Sequence, residues 1–303
     1  MIKPCALLLL HDLMQMIARP LFRPLPLISL SAGGLLIAAA LSSRTFSMTS
    51  SNNWPVKQYT PRHTSWPYNP SDFNRRDSSS DDRFYSAPRF VTHIDDAAIA
   101  TLREYYDTVL PRKGKILDFC SSWVSHYPKS VEEAVVNGDL KVVGMGMNKA
   151  ELDANKVLNG GRLLEDLNQD PDISSALREA KAIDADDFSM LDASTNVVST
   201  DYLTKPVEVL KSLREATKIG GTVHLTISNR CFPTKAISRW LRVEEEERLE
   251  MVADFLHFAG WKKIEIVELS NGSADSGAPQ AGLMKWMGMN ARDPLWVVRA
   301  VKE

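Results

Sequence analysis

Residues 115–128, KILDFCSSWVSHYP, decide the fold. Ile116 and Leu117 open an apolar run that reads as a buried strand, and the run ends in an acid, Asp118, followed by Cys120, Ser121 and Ser122. In an open α/β sheet, ligands bind just past the carboxyl ends of the strands, so a strand ending in Asp and then in small polar residues is a candidate cofactor cradle. An ordinary loop after a buried strand is the competing reading at this point.

Downstream, helix and strand patterns alternate. Helices are expected at 130–137, 149–156, 171–180, 206–218 and 243–259, with proline in the first turn of the third and glycines closing the last two. Strands are expected at 141–146 (KVVGMG), 162–167, 193–198, 222–228 and 262–269. Such alternation gives βαβ units and a mostly parallel sheet with helices on both faces. Residues 264–269 and 296–301 have no helical pattern between them, only the Gly/Ser/Met-containing stretch 270–294, so the final strand is expected to run antiparallel. Upstream, Ala98, Leu102, Tyr105, Tyr106 and Val109 have helical spacing, closed by Pro111 and Gly114, and this helix could cover the open end of the sheet. The run Glu244 to Glu247 suits the start of a helix, where the dipole favours acids.

The chain has 303 residues and a formal net charge of -2. Neutralising phosphates needs a basic stripe, and there is none, so a nucleic-acid partner is not expected. Cys5, Cys120 and Cys231 are an odd count without a CxxC pair, which indicates neither a disulfide framework nor a metal site and fits a reducing compartment. Residues 1–47 carry Lys3, Arg19, Arg23 and Arg44 against one acid, Asp12, the composition of a mitochondrial transit peptide. A membrane anchor over 25–41 competes with that reading, though Pro26, Gly33 and Gly34 interrupt it, and so does a cytoplasmic protein that starts at Met48. Residues 48–82 are rich in Ser, Asn, Pro and Asp and read as a flexible arm, with Trp54 and Trp66 as its means of tethering to the domain.

The ordered set ILDFCSSWVSHYP, GMGMN, DLNQD, YLTKPVEVLKSLREATKIGG and the closing strand pair resembles the class I S-adenosylmethionine-dependent methyltransferases, in a divergent branch with CSSW-S-H in place of the glycine-rich loop. The resemblance spans 83–303, the expected methyltransferase domain, and implies a Rossmann-like α/β fold with a mostly parallel seven-stranded sheet ending in an antiparallel strand. It implies S-adenosyl-L-methionine as cofactor and a small-molecule substrate, with a homodimer as a further expectation. Asp118 keeps the family's acid, while Cys120, Ser121 and Ser122 stand where glycines let the backbone approach the methionine end of the cofactor. Where the family has a ribose-binding acid after its second strand this chain has Gly144, Met145, Gly146, Met147 and Asn148, so Asn148 or the backbone would hold the ribose. Asp166, Leu167 and Asn168 match the adenine bracket, with a plain turn as the alternative. Ser199 and Thr200 follow the fourth strand.

Methyl transfer is an in-line displacement on a sulfonium, so alignment is the main requirement. The acceptor is expected beyond the fourth and fifth strands, where Tyr202, Arg230 and Lys235 stand, with His126 and His93 as possible bases. Arg230 and Lys235 together would hold a carboxylate, which is already ionised at neutral pH and needs no base. O-methylation of a small organic acid is therefore the expectation. Trp123 reads as packing, His224 as core, and Cys120 has no neighbouring base to make it a nucleophile. Phe84, Tyr85, Pro88 and Arg89, and the stretch GLMKWMGMN at 282–290, are placed to close the site; the latter suits a dimer contact equally. A non-catalytic relative acting through a partner is the second reading. A dehydrogenase is disfavoured, because no GxGxxG follows the first strand.

Overall fold

The computed structural model describes residues 54–183, 191–272 and 292–303. The leader 1–47 and the stretch 282–290 lie outside the described residues. Among the described residues no helix is long and apolar enough to cross a membrane.

Eight strands form one sheet. In chain order they are β1 (Val56–Gln58), β2 (Gly114–Phe119), β3 (Leu140–Gly146), β4 (Gly161–Leu164), β5 (Leu191–Val197), β6 (Thr217–Ser228), β7 (Lys262–Ser270) and β8 (Leu295–Val301). Their spatial order is β1-β7-β8-β6-β5-β2-β3-β4. The neighbours β6-β5-β2-β3-β4 are parallel, while β8 runs antiparallel between β6 and β7. The seven expected strands thus gain an eighth: β1 comes from the arm and pairs antiparallel with β7, Val56 opposite Val267.

Side-chain alternation divides the core in two, because successive residues of a strand point to opposite faces. Ile116 and Val142 pack under α2 (Asp96–Val109), α3 (Lys129–Val136) and α4 (Lys149–Ala154), whereas Leu117, Val143 and Met145 pack under α5 (Ile173–Glu179), α6 (Pro206–Glu215) and α7 (Glu245–Phe258). Burying both faces is what a parallel sheet requires. His224 is core as expected: Tyr105 Oη lies 2.9 Å from its Nδ1, and burial depresses its pKa to about 3.

Gly220 and Gly221 do not close a helix. α6 ends at Glu215, and the glycines lie inside β6, where Gly220 has φ +80° and the register with β5 shifts between Leu191 and Ala193. Glycine here lets the strand take an irregularity that a side chain would resist.

Over residues 54–82 the expected flexible arm is instead packed against the domain. Trp54 meets Tyr105 edge-on, and Trp66 contacts Tyr68, Phe73, Phe255 and Phe258. Buried Asp254 of α7 accepts from Tyr59, Arg62 and Tyr68. Aromatic area and charge-assisted bonds together offset the ordering entropy that polar composition alone suggests would win.

Candidate functional site

A cavity of about 380 Å³ opens at the carboxyl ends of β2, β3, β4 and β5, where the strand order reverses. That is the crevice in which open α/β sheets bind ligands, and the volume is within the range for small-molecule sites. Its floor is the loop after β2 and the ends of β3 and β4. Its roof is a strap, residues 81–94, which begins with α1 (Asp81–Phe84) and contributes Tyr85, Arg89 and His93 to the wall.

The loop after β2 is a folded cradle. Asp118 is buried and accepts from Ser121 Oγ and Ser125 Oγ at 2.6 Å each and from Thr195 Oγ1 at 3.2 Å. Burial still pushes its carboxyl up to about 6, because desolvation outweighs the three hydroxyls. The chain turns at Cys120 with φ +53°, and Ser121 N–H returns to Met145 O at 2.7 Å, tying the loop to β3. A Cβ on Gly146 would lie 2.2 Å from the Ser121 carbonyl oxygen, so the loop approaches β3 closely only because that residue is glycine. Burial raises the Cys120 thiol to about 12, which leaves it un-ionised and no nucleophile.

The next corner departs from expectation. Asn148 lines the cavity, but its side chain is engaged: Oδ1 caps α4 by accepting from Glu151 N–H, and Nδ2 donates to the Tyr85 and Ser86 carbonyls. The carboxylate at this corner is Glu151, a wall residue that the sequence reading missed. Buried in the cavity wall, it accepts from Ser122 Oγ through Oε2 and from Arg89 N–H through Oε1, both at 2.6 Å. Its place three residues after Asn148 has the look of a helix-capping pair, which conceals the role. Met145, Gly146 and Met147 line the cavity, whereas Gly144 sits beneath Leu158 and is a packing residue.

Asp166 and Leu167 stand in the wall as expected, with Asp166 closing a turn onto Asn168 N–H and Gln169. Asn168 also reaches the wall, yet its amide is a brace: Nδ2 donates to Asp81 and the Tyr202 carbonyl, and Oδ1 accepts from Thr204. Ser199 lines the cavity with its hydroxyl turned to the Val197 carbonyl, while buried Thr200 bonds to Asn196 behind the wall.

The expected carboxylate clamp is not assembled. Lys235 is fully buried and turned into the strap, with Nζ 3.1 Å from Asp81, 3.2 Å from Asp77 and 2.8 Å from the Ser79 carbonyl. Its sequence neighbourhood suggested a free cation, but the chain after β6 is stitched to the arm through Asp77 N–H to Thr234 O and Ser238 N–H to Asn74 O, which carries Lys235 inward. Arg230 does line the cavity and is paired with Asp293 at 2.7 Å. Tyr202 accepts from Phe232 N–H at 2.8 Å, and burial raises its pKa, so it is a neutral wall group. His126, at φ +55°, is buried with Nδ1 unbonded, and desolvation lowers its pKa to about 4. His93 is lowered by the same cause. Trp123 ties the roof to the floor, its Nε1 donating to the Val91 carbonyl at 3.0 Å.

Behind Tyr202, Asp201 is fully buried with Oδ2 unbonded, and desolvation pushes its carboxyl up to about 8. A carboxyl raised on folding is protonated more readily in the native state, so its contribution is fully present below the unfolded value of about 4 and is lost as pH rises through 8. Melting temperature should therefore fall between pH 6 and 8. Asp201→Asn should flatten that limb; an unchanged slope in thermal melts would refute the assignment.

No family model matches the sequence, and no match was found among curated proteins. Several solved structures are similar in fold. Phosphoethanolamine N-methyltransferase 2 of Haemonchus contortus is 11% identical with a TM-score of 0.39, covering 68% of this chain, which spans about half (52%) of that one. Geranyl diphosphate C-methyltransferase of Streptomyces coelicolor is 13% identical over 73% of this chain and 97% of its own, with a TM-score of 0.41. The [4+2]-cyclase SpnF is 14% identical over 73% and 90%, with a TM-score of 0.44. Likeness at this level leaves the chemistry to the cavity itself.

Proposed function

We propose that this protein is an S-adenosylmethionine-dependent methyltransferase of a small molecule. The observation that carries the reading is the cavity at the switch point, walled by the hydroxyl-lined cradle on one side and by two carboxylates, Glu151 and Asp166, on the other. These walls fit the cofactor's groups. Ser121 and Ser122 would meet its amino-acid end, Glu151 would accept from the ribose hydroxyls in place of an acid at the end of β3, and Asp166 would accept from the adenine amine beside Leu167 and Met147. When bound, the cofactor supplies a sulfonium methyl for in-line transfer. Tyr85, Tyr202 and Phe232 would wall the acceptor end with aromatic surface. His126 is uncharged at neutral pH but, with its pKa held down by burial, is too weak a base to favour a hydroxyl acceptor. Carboxylate methylation needs no base, but with Lys235 buried its anchor must be another cation.

A non-catalytic role through a partner draws support from two features, the glycine at the end of β3 and the engaged Asn148 amide. Ultraviolet cross-linking with radiolabelled S-adenosylmethionine separates the two. Label on peptides spanning 115–128 or 141–156, suppressed by S-adenosylhomocysteine, supports the enzyme; label elsewhere, or none, supports the partner role.

A further inference from the structure

Arg89 is a cavity cation that the reading above leaves without a use. Its guanidinium carbon lies 4.5 Å from the centroid of the Phe84 ring, 5.6 Å from Phe232 and 5.8 Å from Tyr85. Nη2 donates to the Phe84 carbonyl at 2.9 Å, and among the described residues no carboxylate is ion-paired with it. The other cations at this end are matched: Arg230 by Asp293, and Lys235 by Asp77 and Asp81. Glu151, the acid bonded to the Arg89 main chain, has its two oxygens on Arg89 N–H and Ser122. A guanidinium has five donors in a planar fork that matches a carboxylate bidentately, and the bond to the Phe84 carbonyl uses only part of this one.

Resting on the methyltransferase reading, we propose that Arg89 anchors the methyl acceptor by a carboxylate, and that the acceptor is a small aromatic carboxylic acid. Phe232 supplies the ring contact, with Tyr202 tilted 30° at 6.0 Å and His93 edge-on at 5.3 Å extending an aromatic wall beside the guanidinium. Such a wall suits a planar apolar body by offset stacking, while the fork selects the charged end. The expected carboxylate recognition is thereby kept, with a residue of the strap in the place assigned to Lys235.

The test uses benzoate and its neutral counterpart benzamide as probes, titrated by calorimetry into the full chain with saturating S-adenosylhomocysteine, and again without it. In the wild type benzoate should bind at least about tenfold more tightly than benzamide, the worth of a charge-assisted bond. Arg89→Met should abolish that preference, and Arg89→Lys should keep part of it; melting curves confirm that each variant folds. Equal binding of the two probes by wild type, or a preference surviving in Arg89→Met, overturns the proposal. So does an Arg89→Met loss that falls on S-adenosylhomocysteine instead, which assigns the guanidinium to the cofactor. Failure of the wild type to bind S-adenosylhomocysteine sinks the methyltransferase reading, and the probe preference measured without it still decides the role of Arg89.

Discussion

Gly146→Ala is expected to lower affinity for S-adenosylhomocysteine at least about tenfold and to destabilise the fold by about 1–3 kcal/mol, the range for overpacking a tight site. The added Cβ falls 2.2 Å from the Ser121 carbonyl oxygen and 3.3 Å from Leu152. The first is main chain and cannot rotate away. Either β3 or the cradle must shift, and Ser121 N–H is held to Met145 O at 2.7 Å, so the shift passes to Cys120, Ser121 and Ser122. Gly144→Ala is the control. The nearest atoms to its Cβ belong to the Leu158 side chain, at 2.3 Å, and neither residue lines the cavity. It should cost stability and leave affinity near wild type. Equal affinity of Gly146→Ala and wild type would mean that the cradle does not touch the cofactor.

Asp81→Ala should be the most destabilising single change in the strap, by about 3–5 kcal/mol, the cost of stranding buried charge. Asp81 accepts two bonds from Arg75 Nη1, at 2.7 and 2.9 Å, takes another from Asn168 Nδ2, and stands 3.1 Å from fully buried Lys235. Its pKa is lowered: burial opposes ionisation, but Arg75, Asn168 and Lys235 outweigh it. Removing the carboxylate leaves Lys235 with the Ser79 carbonyl and, among the described residues, Asp77 as its one remaining acid. Lys235→Met, which removes the buried cation and leaves Asp81 its pair with Arg75, should cost less. Urea midpoints of the two variants and their double mutant measure the coupling, and additive losses would show that the network is not one unit. Because Asp81, Asn168 and Tyr202 share this network and all line the cavity, the same loss should loosen the roof.

The fold was legible where one pattern repeats. Alternating strands and helices from Lys115 onward place the parallel sheet, and the missing helix before Trp296 places the antiparallel strand. β1 was not legible, since three residues, Val56–Gln58, carry no period and their partner Val267 lies far along the chain. Of the candidate site, the position of Asp118, Ser121, Ser122 and Asp166 in the cavity wall was readable, because they stand at or just past strand ends, where topology locates the cavity. Glu151 was hidden because its sequence position has a sufficient local explanation in helix capping. Lys235 misled because only the tertiary pairing of the arm with the chain after β6 decides that it points inward. The capping asparagine and the bracing Asn168 show the same limit: residue type indicates a polar group, but hydrogen-bond partners decide whether it is free.

Isothermal titration of S-adenosylhomocysteine into the full chain tests the central claim most directly. One site per chain with a micromolar dissociation constant, about -8 kcal/mol, is the predicted result, weakened by Glu151→Gln and by Gly146→Ala. Absence of heat up to millimolar ligand, with an unmoved melting temperature, would contradict it.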